Sequence, residues 1–165
     1  MSTATKHGMV QRADNMEIFK MQAQDVEGVY ALECECFSKP WSKKSIENEL
    51  YNPLSDFFVA REGQDVVGYI GTQTVLDECS ITNIAVTKSF RKKGIGTKLL
   101  EIAIDCAMAK DSSFITLEVR KSNEEAISIY DKFGFDVKGI RKNFYENPCE
   151  DAYIMTKFFK EEEAI

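Results

Sequence analysis

The stretch IAVTKSFRKKGIGTKLLEIAIDC, residues 84–106, decides how the chain is read. It opens apolar at Ile84, Ala85 and Val86, as the end of a buried strand does. It turns basic and glycine-punctuated at Arg91-Lys92-Lys93-Gly94-Ile95-Gly96. It closes on Ile95, Leu99, Ile102, Ala103 and Cys106, which recur at the spacing of one helix face. In a loop between a strand and a helix, successive backbone N–H groups point outward together. The helix N-terminus adds partial positive charge and the lysines add full charges. Such a loop suits a phosphate or pyrophosphate. A solvated basic turn is the alternative that the pattern leaves open.

Two phosphate signatures are tested by spacing. A Walker loop needs Gly-x-x-x-x-Gly-Lys-Ser/Thr, and the glycines here do not fit it. A dinucleotide fingerprint needs a third glycine where Leu99 stands. Glu118, about 20 residues further on at a strand's end, keeps that reading from being dismissed.

Outward from this stretch the pattern continues. Residues 16–22 alternate as a first strand. Residues 25–37 carry Val29, Leu32 and Cys36 at helical spacing. Pro40 breaks the chain, Ser42 caps a second short helix running to about residue 51, and Pro53 ends it. Residues 56–61 and 66–75 flank a Glu62-Gly63-Gln64-Asp65 turn and read as a hairpin, followed by a strand over 78–86. Downstream, 113–119 is a strand. Ser122 and Glu125 have capping-box spacing and open a helix with Ala126, Tyr130 and Phe133 on its inner face; Gly134 is its C′ residue. Residues 135–140 and 153–158 are the last strands. The order β-α-α-β-β-β-α-β-α-β-β implies an α/β fold, with a mixed, mostly antiparallel central sheet flanked by helices on both faces.

The length of 165 residues suits one domain, placed at 16–159. The polar, unpatterned residues 1–15 read as a disordered extension or a cloning scar, and 160–165 as a charged tail. A hydrophobic fraction of 44% with 29% charged residues excludes a disordered or collagen-like chain. No apolar run approaches the roughly 18 residues of a membrane span. With 21 Lys and Arg against 27 Asp and Glu, the net charge is −6. That argues against nucleic-acid binding, which needs a basic face, and for a basic or amine-bearing partner.

Cys34, Cys36, Cys79, Cys106 and Cys149 are odd in number and form no CxxC pair. No signal-peptide pattern precedes them, so they read as free thiols in a reducing cytoplasm, away from any membrane. His7 is the one histidine and lies in the N-terminal stretch. The fold therefore offers no histidine to a zinc site or to a Ser-His-Asp or Cys-His arrangement. Acid–base chemistry falls to carboxylates, tyrosine, cysteine, lysine or water.

Ile84-Ala85-Val86 followed by Arg91-x-x-Gly94-x-Gly96 resembles the acyl-CoA-binding motif of the GNAT superfamily of N-acetyltransferases. Leu117-Glu118-Val119-Arg120-x-Ser122-Asn123-x-x-Ala126-Ile127-x-x-Tyr130-x-x-x-Gly134-Phe135 resembles the RimI-type protein N-terminal acetyltransferases. So do Arg141-Lys142-Asn143-Phe144-Tyr145, then Glu150-Asp151-Ala152, and Phe37-x-x-Pro40-Trp41-Ser42. The resemblance covers residues 16–157. It departs at three places: the extension 1–15, Phe144 where many relatives have tyrosine, and a short segment between Tyr145 and Glu150.

The resemblance implies a GNAT fold and acetyl transfer from acetyl-CoA to an amine, with no metal. It implies that Ile84, Ala85 and Val86 contact the pantetheine arm through their backbone. Arg91, Lys92, Lys93, Gly94, Ile95, Gly96 and Thr97 form the pyrophosphate loop, and Asn123 contacts CoA. It makes Glu118 the general base and Tyr130 the general acid. Apolar Ile115, Leu117 and Val119 around Glu118 suggest burial that would raise its pKa toward neutrality; an exposed carboxylate or a partner of Arg120 is the other reading. Tyr130 also reads as a core aromatic and Asn123 as a helix cap. Cys79, Cys106 and Cys149 have no histidine to activate them, so transfer is expected to be direct.

For substrate, the resemblance implies a protein N-terminus, foremost the N-terminal alanine of a small-subunit ribosomal protein. A basic ribosomal partner suits an acidic enzyme. The Tyr145 and Glu150–Asp151 region is the candidate for holding the peptide. A small-molecule amine, such as a polyamine or amino sugar, and a non-catalytic CoA- or nucleotide-binding module are the alternatives.

Overall fold

The computed structural model describes residues 16–160. The expectations for residues 1–15, His7 among them, and for the tail from 161 onward lie outside the described residues. Seven strands and four α-helices occur among the described residues, in the order expected from the sequence. They are β1 (Glu17–Lys20), α1 (Val26–Cys36), α2 (Lys43–Glu49), β2 (Ser55–Glu62), β3 (Asp65–Val75), β4 (Glu78–Val86), α3 (Ile95–Ala109), β5 (Phe114–Arg120), α4 (Glu124–Lys132), β6 (Asp136–Tyr145) and β7 (Glu150–Phe158). Short 3-10 turns at Ala23–Asp25 and Lys88–Phe90 precede α1 and the glycine loop. Among the described residues no helix is long and apolar enough to cross a membrane.

The strands form one mostly antiparallel sheet in the order β1-β2-β3-β4-β5-β7-β6. The exception in direction is β4 with β5, parallel through Glu78–Phe114, Cys79–Ile115 and Ser80–Thr116. Parallel neighbours need a crossover, which α3 supplies. Contacts divide the chain into two compact units. One comprises residues up to Gly71 with Asn83–Ile102; the other comprises Thr72–Thr82 with the chain from Ala103 onward.

The first unit is built around Met21, Val26, Val29, Leu32, Ile46, Phe57, Val59, Tyr69 and Ala85, with Trp41 packed against them. Phe57 lies between Trp41 and Tyr69, ring centroids 6.2 and 6.1 Å away. A Cβ at Gly71 would come within 2.5 Å of the Phe57 ring, so only glycine leaves that ring its place. Ser42 caps α2 as expected, its hydroxyl accepting from Ser45 N at 3.1 Å.

In the second unit Ile115, Leu117 and Val119 of β5 are buried with Ala103, Ile104, Phe135, Ala152 and Met155. The start of α4 differs from expectation. Asn123 is its N-cap, its side chain accepting from Ala126 N at 3.2 Å. Ser122 does not close a box with Glu125; its N–H donates to Glu150 instead. The helix ends as expected at Gly134, φ +90°. Gly134 N–H donates to Asp131 O and Phe135 N–H to Tyr130 O, both 3.0 Å, a Schellman arrangement.

β6 and β7 are longer than the sequence suggested and meet in a hairpin. β6 is exposed along almost its whole length at the sheet's edge and bulges twice, so it carries no hydrophobic alternation to read.

Candidate active site

The glycine loop belongs to the first unit. Lys92 and Gly94 have positive φ, 61° and 82°. Lys98 N–H donates to Gly94 O at 3.1 Å, the first hydrogen bond of α3. The N–H groups of Ile95, Gly96 and Thr97 precede that bond and are the orphan donors of the helix start. A Cβ built on Gly96 would find Val86 Cγ2 at 4.0 Å and nothing closer. No packing demand of the protein explains this glycine. Lys92 and Lys93 are exposed beside it, Lys93 over the Phe90 ring at 5.0 Å.

The strand before the loop is braced from behind. Arg91 Nε donates to Val86 O at 3.0 Å and its Nη2 reaches Cys36 Sγ at 3.4 Å. Arg91, grouped with the pyrophosphate ligands on sequence, thus ties the end of β4 to the end of α1. Thr87 N–H donates to Val67 O at 2.9 Å, which holds the segment beyond Val86 against β3.

At Asn83, just before Ile84, lies a feature the sequence did not announce. Glu33 of α1 is 1% exposed. Its carboxylate accepts from the Tyr69 hydroxyl and from Asn83 Nδ2, the latter at 2.6 Å. Burial raises its pKa above the ordinary carboxylate value, against the lowering effect of those donors. Burial and the neighbouring carboxylate raise that of Tyr69. A glutamate beside cysteines in an amphipathic helix gives no sequence sign of facing inward.

The second unit holds the proposed acid and base. Glu118 lies on β5 on the face opposite Leu117 and Val119. The expected burial is absent: its side chain is 31% exposed and pairs with Arg141 of β6, Nε to Oε1 at 2.9 Å. The partner is Arg141 and not Arg120. Arg120 is spent elsewhere, donating to Pro148 O at 3.0 Å, Glu146 O at 3.2 Å and Glu150 Oε2 at 3.3 Å. Its guanidinium also lies 4.4 Å from the Tyr145 ring centre. Glu150 accepts from Ser122 N–H and Arg120, which holds its pKa below the usual range.

Tyr130 is 7% exposed, packed against Phe135 with centroids 5.8 Å apart. Burial, with a smaller effect from Tyr145, pushes its pKa up to about 12. Tyr145 is raised by burial first and by the charge of Glu118 next. Asn123, at the mouth of α4, acts as the cap described above.

Among the described residues no group of three or more His, Cys, Asp or Glu could hold a metal ion. None of the five cysteines, all of them among the described residues, forms a disulfide.

Residues 26–135 match the acetyltransferase (GNAT) family. The chain is 34% identical over 140 residues to the ribosomal protein bS18-alanine N-acetyltransferase of Escherichia coli (strain K12), covering 84% of this chain and 94% of that one. It is 39% identical over 136 residues, 82% of this chain and 90% of the other, to a Bacillus subtilis (strain 168) protein named as a candidate for the same activity. Among solved structures, the ribosomal-protein-S18-alanine N-acetyltransferase from Escherichia coli superposes with a TM-score of 0.80 at 31% identity. That match covers 90% of this chain and 97% of that one. Ard1 from Thermoplasma volcanium also superposes at 0.80, with 27% identity over 88% and 98% of the two chains.

Proposed function

Since the chain belongs to the GNAT family of acetyltransferases and takes its acetyl group from acetyl-CoA, we propose that it acetylates the N-terminal α-amine of a protein, specifically the N-terminal alanine of a small-subunit ribosomal protein. The observation that carries this reading is the likeness, over most of both chains, to relatives named for bS18-alanine acetylation.

The residues support the reading as follows. Ile95, Gly96 and Thr97 offer backbone donors to the pyrophosphate, with Lys92 and Lys93 adding charge, and Ile84–Val86 offer backbone to the pantetheine arm. Glu118 accepts the proton of the substrate amine, directly or through water. An α-amine has a pKa of about 7.7–8.0, so a sizeable fraction is already neutral near physiological pH. A base that is exposed and ion-paired is therefore adequate for it. Tyr130 keeps its proton across that pH range and delivers it to the departing CoA thiolate.

A substrate panel tests the proposal. An Ala-starting ribosomal-type peptide, a polyamine and an amino sugar are each incubated with acetyl-CoA, and CoA thiol release is followed. The reading predicts turnover of the peptide well above that of either small amine. Turnover confined to the small amines would overturn it.

A further inference from the structure

The Glu118–Arg141 pair has no part in the mechanism above. We infer that Arg141 is a positioning residue for Glu118, an inference that rests on Glu118 being the base. In register, Glu118 faces Ile154 of β7, and Ile154 faces Gly139 of β6. Arg120 and Arg141 both face Ala152. Paired residues share a sheet face, so these groups lie on one side. β7 separates β5 from β6, and the Arg141 side chain must cross it to reach Glu118. Ala152, at the crossing, is a methyl group and leaves the path open.

The contact uses one carboxylate oxygen, Oε1. This fixes the rotamer of Glu118 and presents Oε2 as the atom that accepts a proton. Arg141 of β6 contacts Glu118; Tyr145 of β6 feels the charge of Glu118, and Arg120 and Glu150 act on Tyr145 as well. Arg120 is taken up by Glu146, Pro148 and Glu150. Arg141 is thus the cation in contact with the base, and its part is to hold that carboxylate in place.

Four variants decide the matter: Glu118→Gln, Arg141→Gln, Arg141→Lys and the Glu118→Gln/Arg141→Gln double. Each is assayed with an Ala-starting peptide and acetyl-CoA for kcat and for both KM values. Removing a general base typically costs about a hundredfold or more in kcat, and losing its positioning partner is expected to cost about tenfold. Arg141→Gln should lower kcat and leave the KM for acetyl-CoA unchanged. Arg141→Lys should recover kcat only in part, because the ammonium does not reproduce the guanidinium geometry. In the Glu118→Gln background, Arg141→Gln should cost nothing further. The same loss in both backgrounds, or wild-type kcat in Arg141→Gln, overturns the inference while leaving the base in place. Wild-type kcat in Glu118→Gln removes the base itself and the role of Arg141 with it.

Discussion

The hydroxyl of Tyr69 in β3 donates a hydrogen bond to the carboxylate of Glu33 in α1, and both side chains are almost wholly buried. Asn83 of β4 is a second donor to the same carboxylate, so helix and strand are joined just upstream of Ile84–Val86. Tyr69→Phe leaves the carboxylate one donor short, at a cost of about 1–3 kcal/mol. Urea unfolding should show that loss. Equal stability of Tyr69→Phe and wild type would mean that the hydrogen bond contributes nothing net.

The same pair predicts a pH dependence of stability. The folded-state pKa of Glu33 is raised, by burial above all. Its contribution is therefore complete below the ordinary glutamate value of about 4.3 and is lost as pH rises through the higher folded value. Glu33→Gln does not titrate. The stability of wild type relative to Glu33→Gln should fall as pH is raised from about 4 into the neutral range. A difference that stays constant with pH would contradict the raised value.

Gly96→Ala separates folding from binding. The added methyl meets only Val86 Cγ2, at 4.0 Å, and alanine is the better helix former by about 1 kcal/mol. The variant should be as stable as wild type or more so. If pyrophosphate lies against this backbone, acetyl-CoA binding should weaken by about tenfold or more, the equivalent of losing one good contact. Calorimetric titration with acetyl-CoA reads the second effect and thermal melting the first. Unchanged affinity would remove Gly96 from the donor site.

Asn123 separates its two roles by substitution. Asn123→Ala should lower stability by about 1 kcal/mol through loss of the cap, while Asn123→Asp retains capping. If Asn123 also touches CoA, Asn123→Asp should raise the KM for acetyl-CoA at unchanged stability, because a carboxylate has no amide donor and repels phosphate. A wild-type KM in Asn123→Asp would leave Asn123 a cap alone.

Tyr130, at about 12, stays protonated throughout the neutral range. The rate should show no alkaline fall attributable to this group below about pH 10. Tyr130→Phe should lower kcat far more than it raises the KM for peptide. A Tyr130→Phe enzyme with wild-type kcat would make this tyrosine a core aromatic only.

Much of this was legible in the sequence. Strand, glycine loop and helix over residues 84–106 stand where their periodicities put them, because each buries one face. The burial of Glu118 was misjudged for a physical reason. Leu117 and Val119, its sequence neighbours, point to the other side of β5, and a period of two puts apolar neighbours on the opposite face. The strand expected at 135–140 runs on to Tyr145 as β6, and its second half escaped the reading because an exposed edge strand has no apolar alternation. Arg141 stood within a recognised motif, yet its contact with Glu118 depends on strand order and register across β7. Asn123 could be named as a cap on sequence, and only the helix start showed that it, and not Ser122, has that place.

The central claim is acetylation of a protein N-terminus. Mass spectrometry tests it on two peptides incubated with enzyme and acetyl-CoA: an Ala-starting hexapeptide of ribosomal type, and a lysine-containing peptide with a blocked N-terminus. The account predicts a mass gain of one acetyl group on the first peptide, located on its α-amine by fragmentation, and none on the second. Modification of the blocked peptide alone, or of neither peptide, would contradict it.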